Sequence, residues 1–140
     1  MGNPMDNLPK ETRSRIMASI KGKNTRPEVL VRKLIWAQGR RYRVHDRRVP
    51  GKPDISNTRC KLAVFIDGCF WHGCASCYRE PTSNVSFWRN KLKANRQRRI
   101  KIKRQLKRGG WVVLEFWEHE VLSSPSRVAK KVGHYLSAGR

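Results

Sequence analysis

The stretch Leu62-Ala63-Val64-Phe65-Ile66-Asp67-Gly68-Cys69-Phe70-Trp71-His72-Gly73-Cys74-Ala75-Ser76-Cys77 decides how this chain is read. Its first five residues are all apolar and predict a buried strand. The eleven residues after Ile66 hold one aspartate, three cysteines, one histidine and two adjacent large aromatics. A loop mounted on the end of a core strand is a rigid place for chemistry. Cys69, Cys74 and Cys77 lie five and three residues apart, which suits wrapping around one metal ion. Two readings follow: a zinc knuckle that only braces a small fold, or a metal-braced active-site loop.

The bulk properties narrow the choice. A chain of 140 residues predicts one domain. Residues 1–8 read as a flexible tail and residues 9–137 as the domain. The 32 basic residues outnumber the 10 acidic ones, for a formal charge of +22. Such an excess calls for a polyanionic partner, and nucleic acid fits better than a membrane surface. No apolar stretch approaches the roughly 20 residues a membrane span needs. Residues 1–20 lack the apolar segment of a signal peptide. An intracellular, reducing setting is therefore expected, where clustered cysteines favour metal over disulfides.

Upstream of the central stretch, residues 9–20 predict a short basic helix that Gly22 breaks. Thr25-Arg26-Pro27-Glu28 is a strong helix start, with Thr25 as cap and Pro27 in the first turn. Glu28 is then either the partner of Thr25 in a capping box or a carboxylate facing an active site. This helix is expected to run to about Gln38, burying Leu30, Leu34 and Ala37 with help from Val31 and Ile35, and to stop at Gly39. Residues 42–44 predict a first short strand. In Val49-Pro50-Gly51-Lys52-Pro53-Asp54-Ile55 a turn delivers Asp54 in extended conformation. A strand from Ile55, a turn at Asn57-Thr58 and a return over residues 60–66 would set Asp54 near Ile66 and Asp67. A Pro-Asp followed by an acidic strand end in a basic protein resembles the PD-(D/E)XK nuclease core, where acidic groups hold magnesium against a phosphate.

Downstream, residues 87–108 predict a long helix with Ser86 as cap. Trp88, Leu92, Asn95, Arg99, Ile102 and Leu106 share one face. Eleven lysines and arginines lie on this helix, with no acidic residue between Pro81 and Leu114. Like charges one turn apart destabilise a free helix, so the run makes sense if phosphates neutralise it. Gly109-Gly110 ends the helix, and residues 111–117 predict a mostly apolar strand, central in the sheet. Ser124-Pro125 opens a last helix with Val128, Val132, Tyr135 and Leu136 on its inner face. A four-ligand tetrahedron on Cys69, Cys74 and Cys77 takes His119 as the fourth donor, because it too ends a core strand; His72 is the competitor. A closed set of four leaves no open position, so this metal is structural. His45 and His134 read as ordinary surface or packing residues.

Together these residues closely resemble the very short patch repair mismatch endonucleases. The resemblance rests on Asp67-Gly68-Cys69-Phe70-Trp71-His72-Gly73-Cys74, Pro50-Gly51-Lys52-Pro53-Asp54, Thr25-Arg26-Pro27-Glu28, Phe87-Trp88-Arg89-Asn90-Lys91 with Asn95, and residues 111–118. It covers about Thr12 to Leu136. It implies a restriction-endonuclease-like α/β fold of the PD-(D/E)XK type, with a mixed central sheet flanked by helices and a structural zinc. It also implies magnesium-dependent nicking of one DNA strand, 5′ of the thymine in a T:G mismatch left by deamination of 5-methylcytosine. The expected setting is a monomer at the bacterial nucleoid, in the cytoplasm, working with a cytosine-5 DNA methyltransferase and a repair polymerase.

The resemblance also implies residue roles. Asp54 and the Ile66 carbonyl would bind magnesium. His72 would move a proton around the attacking water, and Glu28 would hold metal-bound water. Cys69, Cys74, Cys77 and His119 would bind zinc. Phe70, Trp71 and Trp88 would wedge into the duplex, where stacking is worth about 1–3 kcal/mol per base. With Lys91, Asn95, Arg96 and Arg99 they make up the expected DNA-contacting set. The chain departs from the family pattern at Ile66-Asp67, where a Thr-His pair is usual. Asp67 either adds a carboxylate ligand or replaces a phosphate-contacting histidine. The zinc set is richer in cysteine, and its loop is one residue longer. Arg99 stands where an acidic residue is expected, and either strengthens phosphate binding or weakens a supporting contact. Two rivals remain: a zinc-stabilised DNA-binding module without catalysis, and a restriction endonuclease of the same fold. Neither Asp54 nor Glu28 suits the first, because bare carboxylates would repel DNA.

Overall fold

The fold is taken from a computed structural model, which describes residues 25–69 and 73–138. The expected tail, the helix over residues 9–20, and Phe70, Trp71 and His72 lie outside the described residues. Helix α1 (Arg26–Ala37) starts with Pro27 in its first turn, and Gly39, at φ +80°, ends it. Thr25 makes no side-chain cap, so the expected box with Glu28 is not formed. Instead Glu28 joins the buried stripe with Pro27, Val31 and Ile35. That stripe displaces the expected one: Leu30 and Leu34 are half-buried and Ala37 is exposed.

After an irregular segment, β1 (Ile55–Asn57) turns into β2 (Leu62–Asp67), with Ile55 opposite Val64 in antiparallel register. The turn is closed by the Asn57 side chain, which accepts from the N–H groups of Arg59 and Cys60. Residues 42–44 form only one bridge, Arg43 to Ser56, and no full strand. Helix α2 (Val85–Arg108) begins after Asn84, two residues earlier than expected and without a Ser86 cap. Strand β3 (Val112–Trp117) pairs in parallel with β2, followed by a short helix α3 (Glu118–Ser123) that the sequence did not suggest, and by α4 (Pro125–Ala138).

The sheet runs β1-β2-β3 and is mixed, as expected, but β2 is its centre and β3 an edge. Alternation explains the difference. All six β2 residues are buried, whereas β3 alternates exposed Glu115 with buried Leu114 and Phe116. Leu62, Val64 and Ile66 face Val31, Ile35, Val128 and Val132 of α1 and α4. On the opposite face, Ala63 and Phe65 pack with Leu106 and Ile102 of α2. The long basic helix thus covers one face with a narrow stripe; Leu106 is its only fully buried residue among those described. No helix among the described residues is long and apolar enough to cross a membrane.

Gly51 presses this α2 face. Its φ is +81°, and a Cβ there would sit 2.6 Å from Cγ2 of Ile102 and 3.2 Å from Cζ of Phe65. Gly51→Ala should therefore lower stability by about 1–3 kcal/mol. Urea denaturation with an unchanged slope would measure it; a variant as stable as the parent would contradict the packing described.

Candidate active site and metal centre

Parallel register brings two sites to one end of the sheet. Asp67 of β2 stands opposite Trp117 of β3, so Gly68-Cys69 and Glu118-His119 leave the sheet side by side. Antiparallel pairing places Asp54, which precedes β1, beside the same end. There the Asp54 carboxylate accepts the Ile66 N–H at 2.6 Å. The expected neighbourhood of Asp54, Ile66 and Asp67 is thus formed.

Glu28 reaches this cluster from the first turn of α1 and is only 3% exposed. Its Oε2 lies 3.1 Å from Nε2 of His45, whose Nδ1 lies 3.8 Å from Oδ1 of Asp54. Glu28, His45 and Asp54 form a group able to hold a metal ion. Asp54 is pushed up to about 7, first by burial. The Ile66 N–H works against that rise, while the charges of Glu28 and Asp67 and a hydrogen bond with Glu28 add to it. A cation among carboxylates crowded in this way would favour their ionising together.

Asp67 is held from the other face of the sheet. Arg99 Nη1 donates to it at 2.7 Å and also lies 3.2 Å from Glu115, while the guanidinium stacks 4.0 Å over the Phe65 ring. Lys103 pairs with Glu115 at 2.6 Å, which holds that carboxyl below its ordinary range against the effect of burial. Arg96 donates to the carbonyl of Gly73 at 3.0 Å, tying α2 to the cysteine loop. Asn95 is half-buried and accepts from Arg98 at 3.3 Å; Lys91 is exposed. Trp88 is half-buried, edge-on to the exposed Phe87 ring at 5.0 Å.

The second site is the cysteine loop. Nδ1 of His119 lies 3.3, 3.5 and 3.3 Å from the sulfurs of Cys69, Cys74 and Cys77. A tetrahedral ion with sulfur at about 2.3 Å and nitrogen at about 2.0–2.1 Å would separate those donors by about 3.5 Å, so the set fits without rearrangement. The loop closes through the Cys74 N–H on the Cys69 carbonyl at 2.9 Å, with Gly73 at φ +66°. Burial pushes the Cys69 thiol up to about 12, and Cys77 adds to the rise. Burial also opposes ionisation of Cys74, but the N–H groups of Ser76 and Cys77 outweigh it and bring that thiol down. The four groups therefore suit one cation better than three free thiols.

Sequence reasoning missed His45, read as an ordinary surface or packing residue. It is half-buried and joins the acidic cluster, whereas His134 is exposed as expected. The available signal was a histidine nine residues before Asp54, across a Pro-Gly turn. Asp54 also generates a pH dependence. Unfolded, it loses its proton near the ordinary 3.8, and folded only near 7. Between those values the folded state binds more protons, so stability falls as pH rises. Without added divalent ions, the Asp54 contribution should lower the melting temperature from about pH 4 to about pH 7, and Asp54→Asn should remove most of that drop. Parallel pH curves for the two proteins would contradict the burial of this charge.

A family model for the DNA mismatch endonuclease Vsr matches residues 5–79. The chain is 43% identical over 131 residues to the type II nicking enzyme V.HpaIIP of Haemophilus parainfluenzae, covering 91% of this chain and 93% of that one. With the type II nicking enzyme V.NmeDIP of Neisseria meningitidis serogroup C the identity is 42% over 130 residues, covering 91% and 88%. With the DNA mismatch endonuclease Vsr of Escherichia coli it is 35% over 111 residues, covering 78% and 70%. Matched along most of its length, and with more than half of its residues inside the family model, the chain belongs to the Vsr family of DNA mismatch endonucleases.

Proposed function

We propose that this protein is a magnesium-dependent nicking endonuclease that cuts one DNA strand 5′ of the thymine in a T:G mismatch, on a restriction-endonuclease-like fold. The observation that carries the reading is Asp54, fixed on the Ile66 N–H beside Glu28 at the end of the central strand. A divalent ion bound there supplies charge for the scissile phosphate and an activated water at neutral pH. Asp54 provides the direct carboxylate. In a strand the N–H and C=O of one residue point to the same side, so the Ile66 carbonyl faces the Asp54 edge as a second donor. Glu28 orients water from the helix start. Asp67, neutralised by Arg99, shapes the field beside them without a bare charge. His72, three residues beyond Cys69, is the group assigned to proton transfer.

The substrate reading rests on charge and on family. The α2 surface carrying Lys101, Arg104 and Arg108 has no acidic neighbour on the helix, which suits a phosphate backbone. Lys91, Asn95 and Arg96 continue that surface toward the cysteine loop. Arg99 acts on DNA through Asp67 and Glu115, with the guanidinium spent on those carboxylates. Phe70, Trp71 and Trp88 form the wedge, because a T:G step stacks less well than a matched one and opens at lower cost. The nicking named for the relatives supports a single-strand cut. A cytosine-5 DNA methyltransferase is the natural functional partner, and the bacterial cytoplasm the natural setting for a monomer. The ion of the Cys69, Cys74, Cys77 and His119 site is zinc, whose preferred donors these are, and its role is to brace the loop.

Two experiments test this. A labelled duplex with one T:G pair should be nicked in the thymine strand with magnesium and not without it. Asp54→Ala should be slower by on the order of 10³-fold, the several kcal/mol a positioned cation supplies. Cutting of both strands in a matched duplex would point to a restriction enzyme, and binding without cutting to a DNA-binding module. Separately, elemental analysis should find about one zinc per chain. Cys77→Ser, at an exposed position where packing is little affected, should lose most of it; full zinc content in that variant would remove Cys77 from the ligand set.

A further inference from the structure

His45 has no role in the reading above, yet its geometry is specific. Its backbone is left-handed, at φ +50°, a conformation that histidine tolerates better than most non-glycine residues and that tends to persist at functional sites. Its N–H donates to the Pro53 carbonyl at 3.1 Å, which closes the Pro-Gly turn that delivers Asp54. The side chain is 20% exposed, between carboxylates that are 4% and 15% exposed. One ring nitrogen addresses each: Nε2 lies 3.1 Å from Glu28 and Nδ1 lies 3.8 Å from Asp54. With Glu28 ionised, Nε2 donates to it, since a carboxylate only accepts. A ring edge turned to two carboxylates at once is the geometry of a brace.

We propose that His45 is a positioning residue of the metal centre, holding the Glu28 carboxylate beside Asp54 so that α1 and the Pro53-Asp54 turn present one paired site. Glu28 occupies a place in the buried stripe of α1, where a carboxylate needs a partner to keep one orientation. His45 is one such partner, from a segment 17 residues away. Outer-shell groups of this kind typically change metal affinity by about 10–100-fold when removed. The inference rests on the metal-centre reading of Asp54 and Glu28.

The test uses manganese as the probe. Zinc-loaded wild type, Asp54→Ala, His45→Ala and His45→Gln are titrated with Mn2+, and the free ion is followed by its electron paramagnetic resonance signal. Wild type should show one saturable site that Asp54→Ala loses. His45→Ala should bind Mn2+ about 10–100-fold more weakly, and the magnesium needed for half-maximal nicking should rise in step. His45→Gln keeps an N–H donor at similar reach and should recover most of the affinity, a rescue that a purely structural role would not give. Thermal melts identify any variant that fails to fold, and the glutamine variant carries the test if the alanine one does. If His45→Ala binds like wild type while Asp54→Ala does not, the His45 assignment falls and the metal centre stands. If His45→Gln is as weak as His45→Ala, the imidazole is itself a ligand, which overturns positioning. If wild type has no site, or Asp54→Ala keeps it, the metal-centre reading fails and takes His45 with it.

Discussion

In the parallel pairing of β2 with β3, Asp67 stands opposite Trp117, and both chains leave the sheet at the same end in the same direction. The cysteine loop that follows β2 and the histidine that follows β3 therefore meet without a long excursion. Because β2 is also paired on its other side with β1, the Asp54 turn is drawn to the same end. Both clusters depend on one strand buried along its whole length. Its side chains are divided between two cores, Val64 and Ile66 toward α1 and α4, Ala63 and Phe65 toward α2. A slip of one residue in this register would exchange the two faces and separate the donors.

Charge is handled differently on the two sides of that strand. The chain as a whole is strongly basic, yet Glu28, Asp54 and Asp67 gather at one strand end. Asp67 is compensated internally by Arg99, which also bridges to Glu115 and lies over Phe65. Glu28 and Asp54 face one imidazole, and burial, with the charges of Glu28 and Asp67 added to it, raises the proton affinity of Asp54. A basic surface suits a polyanion, and the acidic pair crowded at the strand end is where a divalent ion would gain most.

The two groups able to hold a metal ion differ in their donors. The cysteine set offers four protein donors, which around one ion would leave no position for a reacting group. The acidic set has two carboxylates beside an imidazole, and an ion held by so few protein donors would keep positions open for water. Arg96 on the Gly73 carbonyl links the first group to the basic helix, so the cysteine loop and that helix are braced against one another.

The sequence by itself determined the large features. Uninterrupted apolarity marked β2, the paired prolines around Gly51 marked the turn before Asp54, and clustered cysteines marked the thiolate site, with His119 named as its fourth donor. These signals are local, carried by neighbours along the chain or by donor chemistry. The long basic helix and its inner stripe were legible for the same reason. Tertiary structure alone decided the rest. Apolar content could not tell a central strand from an edge, because that depends on which strands pair, and β3 proved to be the edge. A capping box and a buried carboxylate have the same sequence at Thr25 and Glu28; the packing of α1 against the sheet chose the second. Arg99 meets Asp67 from 32 residues away, and His45 meets Glu28 from 17. A side chain's partner at such distances is set by how helices dock on a sheet, and no periodicity in the chain encodes it.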